Sequence, residues 1–310
     1  MKPSLISSKD MDPESFRVHV PTSIVFLCGG AMGERDRPAT GFRDLFYRNH
    51  DSKRSTYRIV LAEEAQPLEE GAGYSDLLSF ESDIAQVVGL ILLFVESPGS
   101  LAELGAFAAL QTVAPNLLAV LTDHHYSEKS FVMNGPIRFL ERSHGEESVL
   151  SLDSIDINFI DGDHAIVDAE NFQRTVEDAI LHRLDQKAKW SKFDRTNQGH
   201  IILLVTGLCQ EYGALIEKEI RDLLDDFGIE DFRFNSILYC AELLGWVKKV
   251  RKGHHIFFVA VENDPALNFK FSNHVDSKDK SRWRANIRLH WKTSDPSRIR
   301  AIYDVNGGGN

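Results

Sequence analysis

The sequence predicts an α/β fold: a parallel sheet flanked by helices, followed by a smaller, mainly helical domain that ends in a β-hairpin. Strand-like and helix-like segments alternate through the first half at the spacing of βαβ units. Two of the strand-like runs are apolar on both faces, as strands covered by helices on either side must be. The 310 residues exceed one average domain and accommodate two of about 100–200 residues each.

Residues 22–30 (TSIVFLCGG) form an apolar, β-branched run ending in two glycines, the pattern of a buried strand feeding a tight turn. A helix follows near 41–49 and a short strand at 57–61. Residues 77–87 place Leu77, Leu78, Ile84 and Val87 at roughly helical spacing. Residues 89–95 (GLILLFV) are the most strand-like run in the chain. After ESPGS comes a helix over 101–110, opened by Ser100, and then strands at 117–121 and 149–152. The stretch 153–168 is acidic and turn-rich, and 171–192 is an amphipathic helix with Phe172, Val176, Ile180 and Leu184 on one face. Residues 192–199 (KFDRTNQG) read as a linker. Helices at 201–212, 215–227 and 234–244 and a hairpin with a basic turn within 245–263 follow, which is winged-helix order. The expected domains are therefore 20–192 and 198–305.

Composition narrows the class. With 43% hydrophobic and 26% charged residues the chain is globular and not disordered or fibrous. No run approaches the roughly 20 apolar residues that span a bilayer, and the polar, acidic start is unlike a signal peptide. Cys28, Cys209 and Cys240 lie far apart, which excludes a CxxC zinc site and a disulfide framework. His124 and His125 lack a third ligand nearby. The expectation is a reduced, cytoplasmic protein with neither a metal nor a membrane partner. Net charge is −11, yet residues 246–310 carry 13 Lys and Arg against 6 Asp and Glu. A basic end on an acidic body points to a polyanion or an acidic protein as partner for that end.

Ligands of open α/β sheets bind at the carboxyl ends of strands, where strand order switches. Two turns meet that requirement. Gly29 and Gly30 let backbone N–H groups approach a phosphate or sugar. Ser97, Gly99 and Ser100 offer small donors at a helix N-terminus. Glu103 follows Ser100 at the spacing of a capping box, Ser-x-x-Glu. The alternative is that Glu103 faces the crevice as a nucleophile for an anomeric carbon with oxocarbenium character. Asp83 is the best second acid, with Glu96 as runner-up, and Asn134, in VMNGPIRFL, is a candidate contact for base or ribose.

IVFLCGG (24–30), ESPGSLAELGAFA (96–108) and SFVMNGPIRFL (130–140) together resemble the effector proteins of retron anti-phage systems. Those proteins pair a nucleoside 2-deoxyribosyltransferase-like domain with a C-terminal winged helix. The resemblance covers residues 22–150 in motif detail and the remainder in architecture. It implies that Glu103 attacks the anomeric carbon, that Asp83 binds substrate, and that Asn134 serves the site of a neighbouring subunit in a homo-oligomer or higher assembly. It also implies a toxin that breaks the N-glycosidic bond of NAD or a related nucleotide, with the nucleotide as substrate and no separate cofactor. Restraint would come from a reverse transcriptase carrying its branched RNA–DNA hybrid, msDNA. The large second domain and the bulky Leu101-Ala102 before the glutamate depart from a simple transferase and favour hydrolysis.

Two other functions compete. One is a nucleotide-sensing winged-helix DNA-binding regulator, but the helix at 234–244 offers only Asn235, with the preceding Arg233, to read base edges. The other is a phosphoribohydrolase, whose loop requires a second Gly and a Thr where this chain has Ser97, Ser100 and Leu101. The cations Lys248, Lys249, Arg251 and Lys252 in the hairpin, and Arg282 and Arg284 around Trp283, are the candidate contacts to nucleic acid or partner, with Trp283 and Trp291 available for stacking.

Overall fold

The computed structural model describes residues 8–127, 129–160, 163–186, 190–261, 263–275 and 278–307. In chain order the elements are β1 (Met11–Val18), β2 (Ile24–Cys28), α1 (Phe42–Asn49), β3 (Arg58–Leu61), α2 (Leu77–Ala85), β4 (Leu90–Phe94), α3 (Pro98–Ala109), β5 (Leu117–Thr122), α4 (Asp123–Ser127), α5 (Arg138–His144), β6 (Val149–Leu152) and α6 (Ala169–Asp185). They continue with β7 (Ser191–Lys192), α7 (Gln198–Tyr212), β8 (Ala214–Leu215), α8 (Glu217–Asp226), α9 (Phe234–Leu243), β9 (Val247–Lys252), β10 (His255–Ala260), β11 (Leu267–Phe271), α10 (Lys280–Ser294) and α11 (Pro296–Asn306).

The chain divides into two compact units, one of residues 23–66 and 78–187, the other of 1–22, 67–77 and 188–310. The first is the expected α/β domain. Its five strands are all parallel, in the order β3-β2-β4-β5-β6. Every residue of β2, β4 and β5 is buried, which is why those runs show no alternation. Phe42, Phe46, Phe94 and Phe172 join α1 and α6 to one sheet face. Because β3 and β4 flank β2 on opposite sides, the order switches between β2 and β4, and the carboxyl ends of these two strands are where the ligand crevice of such a sheet lies.

The other unit holds two three-stranded antiparallel sheets, β11-β1-β7 and β8-β10-β9. Helix α7 is buried nearly all round and forms its centre. From α7 to β10 the order is helix, short strand, two helices and a hairpin, with β8 paired to the hairpin's second strand. Strands β1 and β11 and helices α10 and α11 lie outside the sequence expectation. Residues 67–77 form a strap over α9. Tyr74 meets the Tyr239 ring at 6.2 Å, its hydroxyl lies 3.1 Å from Cys240 Sγ, and Ser236 Oγ donates to the Gly73 carbonyl. The strap touches both residues expected to read bases: the Arg233 guanidinium sits over the Tyr74 ring and Asn235 Cβ lies against Gly73.

The basic end is also largely committed to structure. Arg284 makes two 2.7 Å bonds to the buried carboxylate of Glu211, and Lys252 pairs with Asp304. Trp283 packs on Tyr212, Phe269 and Phe271, and Trp291 donates to the Tyr212 carbonyl. The tryptophans expected to stack on a partner are therefore packed within the unit, since their ring area is worth more buried than wet. No helix among the described residues is long and apolar enough to cross a membrane. All three cysteines are free thiols and buried.

At the far end of α1, His50 has a side chain only 5% exposed, stacked on Tyr57 and 3.8 Å from Glu177. Burial holds its imidazole below the ordinary 6.5, against the opposing pull of Glu177 and Asp51. The unfolded chain therefore binds this proton first, so the stability is present above 6.5 and lost as pH falls towards the depressed folded value. His50→Phe keeps the ring and removes the titration. Denaturation midpoints measured from about pH 7 to about pH 5.5 should drop less in this variant than in the parent. Identical slopes would exclude His50 as a source of acid sensitivity.

Candidate active site

Helix α3 starts three residues earlier than its sequence implies, and this decides the reading of Glu103. Pro98 opens the helix at a position that needs no N–H. Ser97 is the N-cap: its Oγ accepts from Ser100 N at 3.1 Å, and Ser100 Oγ accepts from Glu96 N and Ser97 N, both at 2.9 Å. The capping box is therefore Ser97–Ser100, and Glu103, more than a turn inside the helix, caps nothing. Both serine hydroxyls are tied to the helix start. Gly99 is exposed and has room for a side chain, since a Cβ there would meet only Ser97 Oγ, at 3.7 Å.

Glu103 lies in the electrostatic field of the β2–β4 crevice. Its carboxyl is raised above 4.5, first by burial and then by Glu63, against the stabilising charge of Arg43. Its Oε2 is buried and accepts no hydrogen bond. The buried guanidinium of Arg43, on α1, donates to the carbonyls of Gly30 and Leu27 at 2.9 Å each and pairs with Glu63. Cys28, the last residue of β2, is pushed well up by burial and then by Glu103 and Glu81.

On α2, Glu81 feels the Glu103 charge. It is raised to about 7 by burial and by the Glu103 charge. Asp83, two residues on, is buried in the same helix at 3% exposure. Glu81 and Asp83 stand on different sides of α2, and what each meets is set by how the helix docks, which is not written in a local pattern.

Gly29 and Gly30 close the crevice floor for internal reasons. A Cβ on Gly29 would lie 2.7 Å from the Phe94 carbonyl, and its φ is +136°. One on Gly30 would lie 2.8 Å from Glu96 Oε1. Asn134 stands apart from this cluster. It lines a separate groove of about 580 Å³ with Gly105, Ala108, Phe131, Phe139 and Arg142, and its amide donates to the Ser130 carbonyl. The groove's lining includes neither Glu103 nor Glu81.

Because Glu81 holds its proton up to about 7, the folded chain binds more protons than the unfolded one above 4.5. Stability from this group is full below 4.5 and is lost as pH rises through about 7. Removing the Glu103 charge with Glu103→Gln should bring the Glu81 titration down, as read by carboxyl ¹³C chemical shift. A Glu81 titration unmoved by that change would mean that burial alone sets it.

The sequence profile described as "STM3845 retron effector protein" matches residues 39–249. The chain is also similar to the Escherichia coli "Retron Ec86 putative ribosyltransferase/DNA-binding protein", with 34% identity over 131 residues, 42% of this chain and 41% of that one. A second E. coli protein, of the same description but from retron Ec73, is 27% identical over 129 residues, 40% of this chain and 41% of the relative. Each alignment thus spans about two fifths of the relative's length. With more than half of its length matched by the family profile, the chain belongs to the STM3845 retron effector family.

Proposed function

We propose that this retron effector is a toxin enzyme that cleaves the N-glycosidic bond of a nucleotide, NAD foremost, with Glu103 as nucleophile. The observation that carries the reading is the Glu103 carboxylate itself. One of its oxygens is buried at the switch point with no hydrogen-bond partner, and the group faces the charge of Arg43. A carboxylate left unsatisfied in a protein interior costs stability, and groups held in that way cluster at functional sites. The ribosyltransferase in the relatives' names accords with glycosyl chemistry at such a site.

In this reading a Glu103 oxygen bonds to the anomeric carbon while the carbon–nitrogen bond breaks and its electron pair leaves with the base. A pyridinium base departs neutral and needs no proton. Water then attacks the same carbon, Glu81 takes its proton, and Glu103 is released as carboxylate. Asp83 orients the sugar. Asn134, in its separate groove, would reach a cleft only in a second subunit, which is the place a homo-oligomer gives it.

The order of helices and hairpin strands in the second unit supports reading it as a winged helix, and the relatives' names include DNA binding. We assign it to partner docking on the reverse transcriptase and its msDNA. A sequence-reading regulator is disfavoured because the strap covers α9. Of the hairpin cations, Lys249 reaches Glu242 at 3.6 Å and Lys252 pairs with Asp304. Lys248 and Arg251 are exposed and, with Arg282, best placed to meet phosphates.

Glu103→Gln should abolish release of free base from NAD, by on the order of 10⁴-fold or more, while the circular dichroism spectrum is unchanged. A folded Glu103→Gln protein that cleaves at the parent rate rejects the nucleophile. Replacing Lys248 and Arg251 by Ala should weaken co-purification with the reverse transcriptase complex. Its log–log salt slope should fall by roughly 0.7–0.9 for each phosphate that is no longer neutralised. An unchanged slope would assign these cations to guarding β9, a sheet edge, where lysine discourages strand addition.

A further inference from the structure

The turn after β2 is glycine-rich and leads to the N-terminus of α1. At the switch point of an open parallel sheet, backbone N–H groups in that position commonly meet a ligand's phosphate. Here they have an internal partner. Glu96, just past β4, accepts from Phe42 N at 2.6 Å and from Arg43 N at 3.2 Å, and the Gly30 N–H bonds to it as well. The surrounding glycines are fitted to this carboxylate. A Cβ on Gly41 would stand 2.7 Å from both of its oxygens, and one on Gly30 2.8 Å from Oε1. Arg43, the nearby cation, is turned towards the Gly30 and Leu27 carbonyls and Glu63. Burial raises the Glu96 carboxyl and the three N–H groups pull it back.

We infer that Glu96 is a specificity-determining residue: its carboxylate fills the N–H nest at the head of α1, so a ligand in the cleft presents no phosphate there. A nucleotide substrate lies with its phosphates directed away from α1, and the end of the sugar nearest the nest meets a carboxylate that accepts a hydroxyl proton. The assignment deepens the glycosidase reading of the cleft and rests on it for the identity of the sugar. The closure of the nest to phosphate stands on Glu96 alone.

The test is thermal unfolding of the full chain titrated with inorganic phosphate at constant ionic strength. In the parent, phosphate should add nothing at the nest. Glu96→Ser removes the internal anion and leaves the N–H groups, so its unfolding midpoint should climb with phosphate beyond the parent's response, as for any ligand that binds only the folded state. Glu96→Ala also removes the internal anion and leaves the N–H groups open. The same gain is expected, and this variant decides the matter if Glu96→Ser does not fold. Phosphate responses equal to the parent's in the folded variants overturn the assignment. Calorimetry gives a second reading: the preference for adenosine 5′-monophosphate over adenosine should rise in Glu96→Ser relative to the parent, and an unchanged preference also overturns the assignment. If neither nucleoside nor nucleotide binds while the variants gain phosphate, the glycosidase reading fails and the role of Glu96 survives.

Discussion

Four carboxylates, Glu63, Glu81, Glu96 and Glu103, share the carboxyl edge of the parallel sheet with one buried guanidinium, Arg43. The sheet brings them there because strand ends converge at the switch between β2 and β4. A single cation does not neutralise four acids, so each is satisfied differently. Glu63 takes the ion pair, Glu96 takes backbone N–H groups, Glu81 is raised to about 7, and Glu103 is left with an unbonded oxygen. Such an unequal division of environment separates acids into distinct chemical roles. The position of α1 follows from the same arrangement: Glu96 fixes the head of the helix, and Arg43 ties its first turn to the end of β2.

The α/β unit was largely legible because its signals are local. The runs 22–30 and 89–95 are apolar on both faces, and only a strand covered on both sides reads so. The amphipathic stripe at Phe172, Val176 and Ile180 places α6 on the sheet. Glu103 stood out through its motif. What misled was the start of α3: Ser97-Pro98-x-Ser100 carries a serine–serine box that competes with Ser100-x-x-Glu103, and proline at the first helical position decides between them. Glu81 and Glu96 were harder to find, since their roles depend on which helix or loop packs opposite, a non-local fact. Glu96 has a faint signal in the two glycines, 30 and 41, that both face it.

In the second unit, charge was easier to read than its use. A basic segment invites a polyanion, but Arg284 answers Glu211, Arg298 answers Glu219, and Lys252 answers Asp304. Glu211 is 2% exposed and sits on a helix buried almost all round, so its cation had to come from elsewhere in the fold. Part of the basic excess is thus the complement of acids in the other helices. Strand β1 is hard to read because MDPESFRV looks like polar coil until β11, whose LNFKF alternates apolar and polar, is placed beside it.

That pairing has a temporal side. Met11 lies opposite Phe271 and Val18 opposite Leu267, with nearly the whole chain between them. On a ribosome the α/β unit emerges complete while β1 still waits for its partner strand. Chain growth at roughly 5–20 residues per second makes that wait one of many seconds. The unit carrying Glu103 is therefore in a position to fold before the strands that close the other unit have been made.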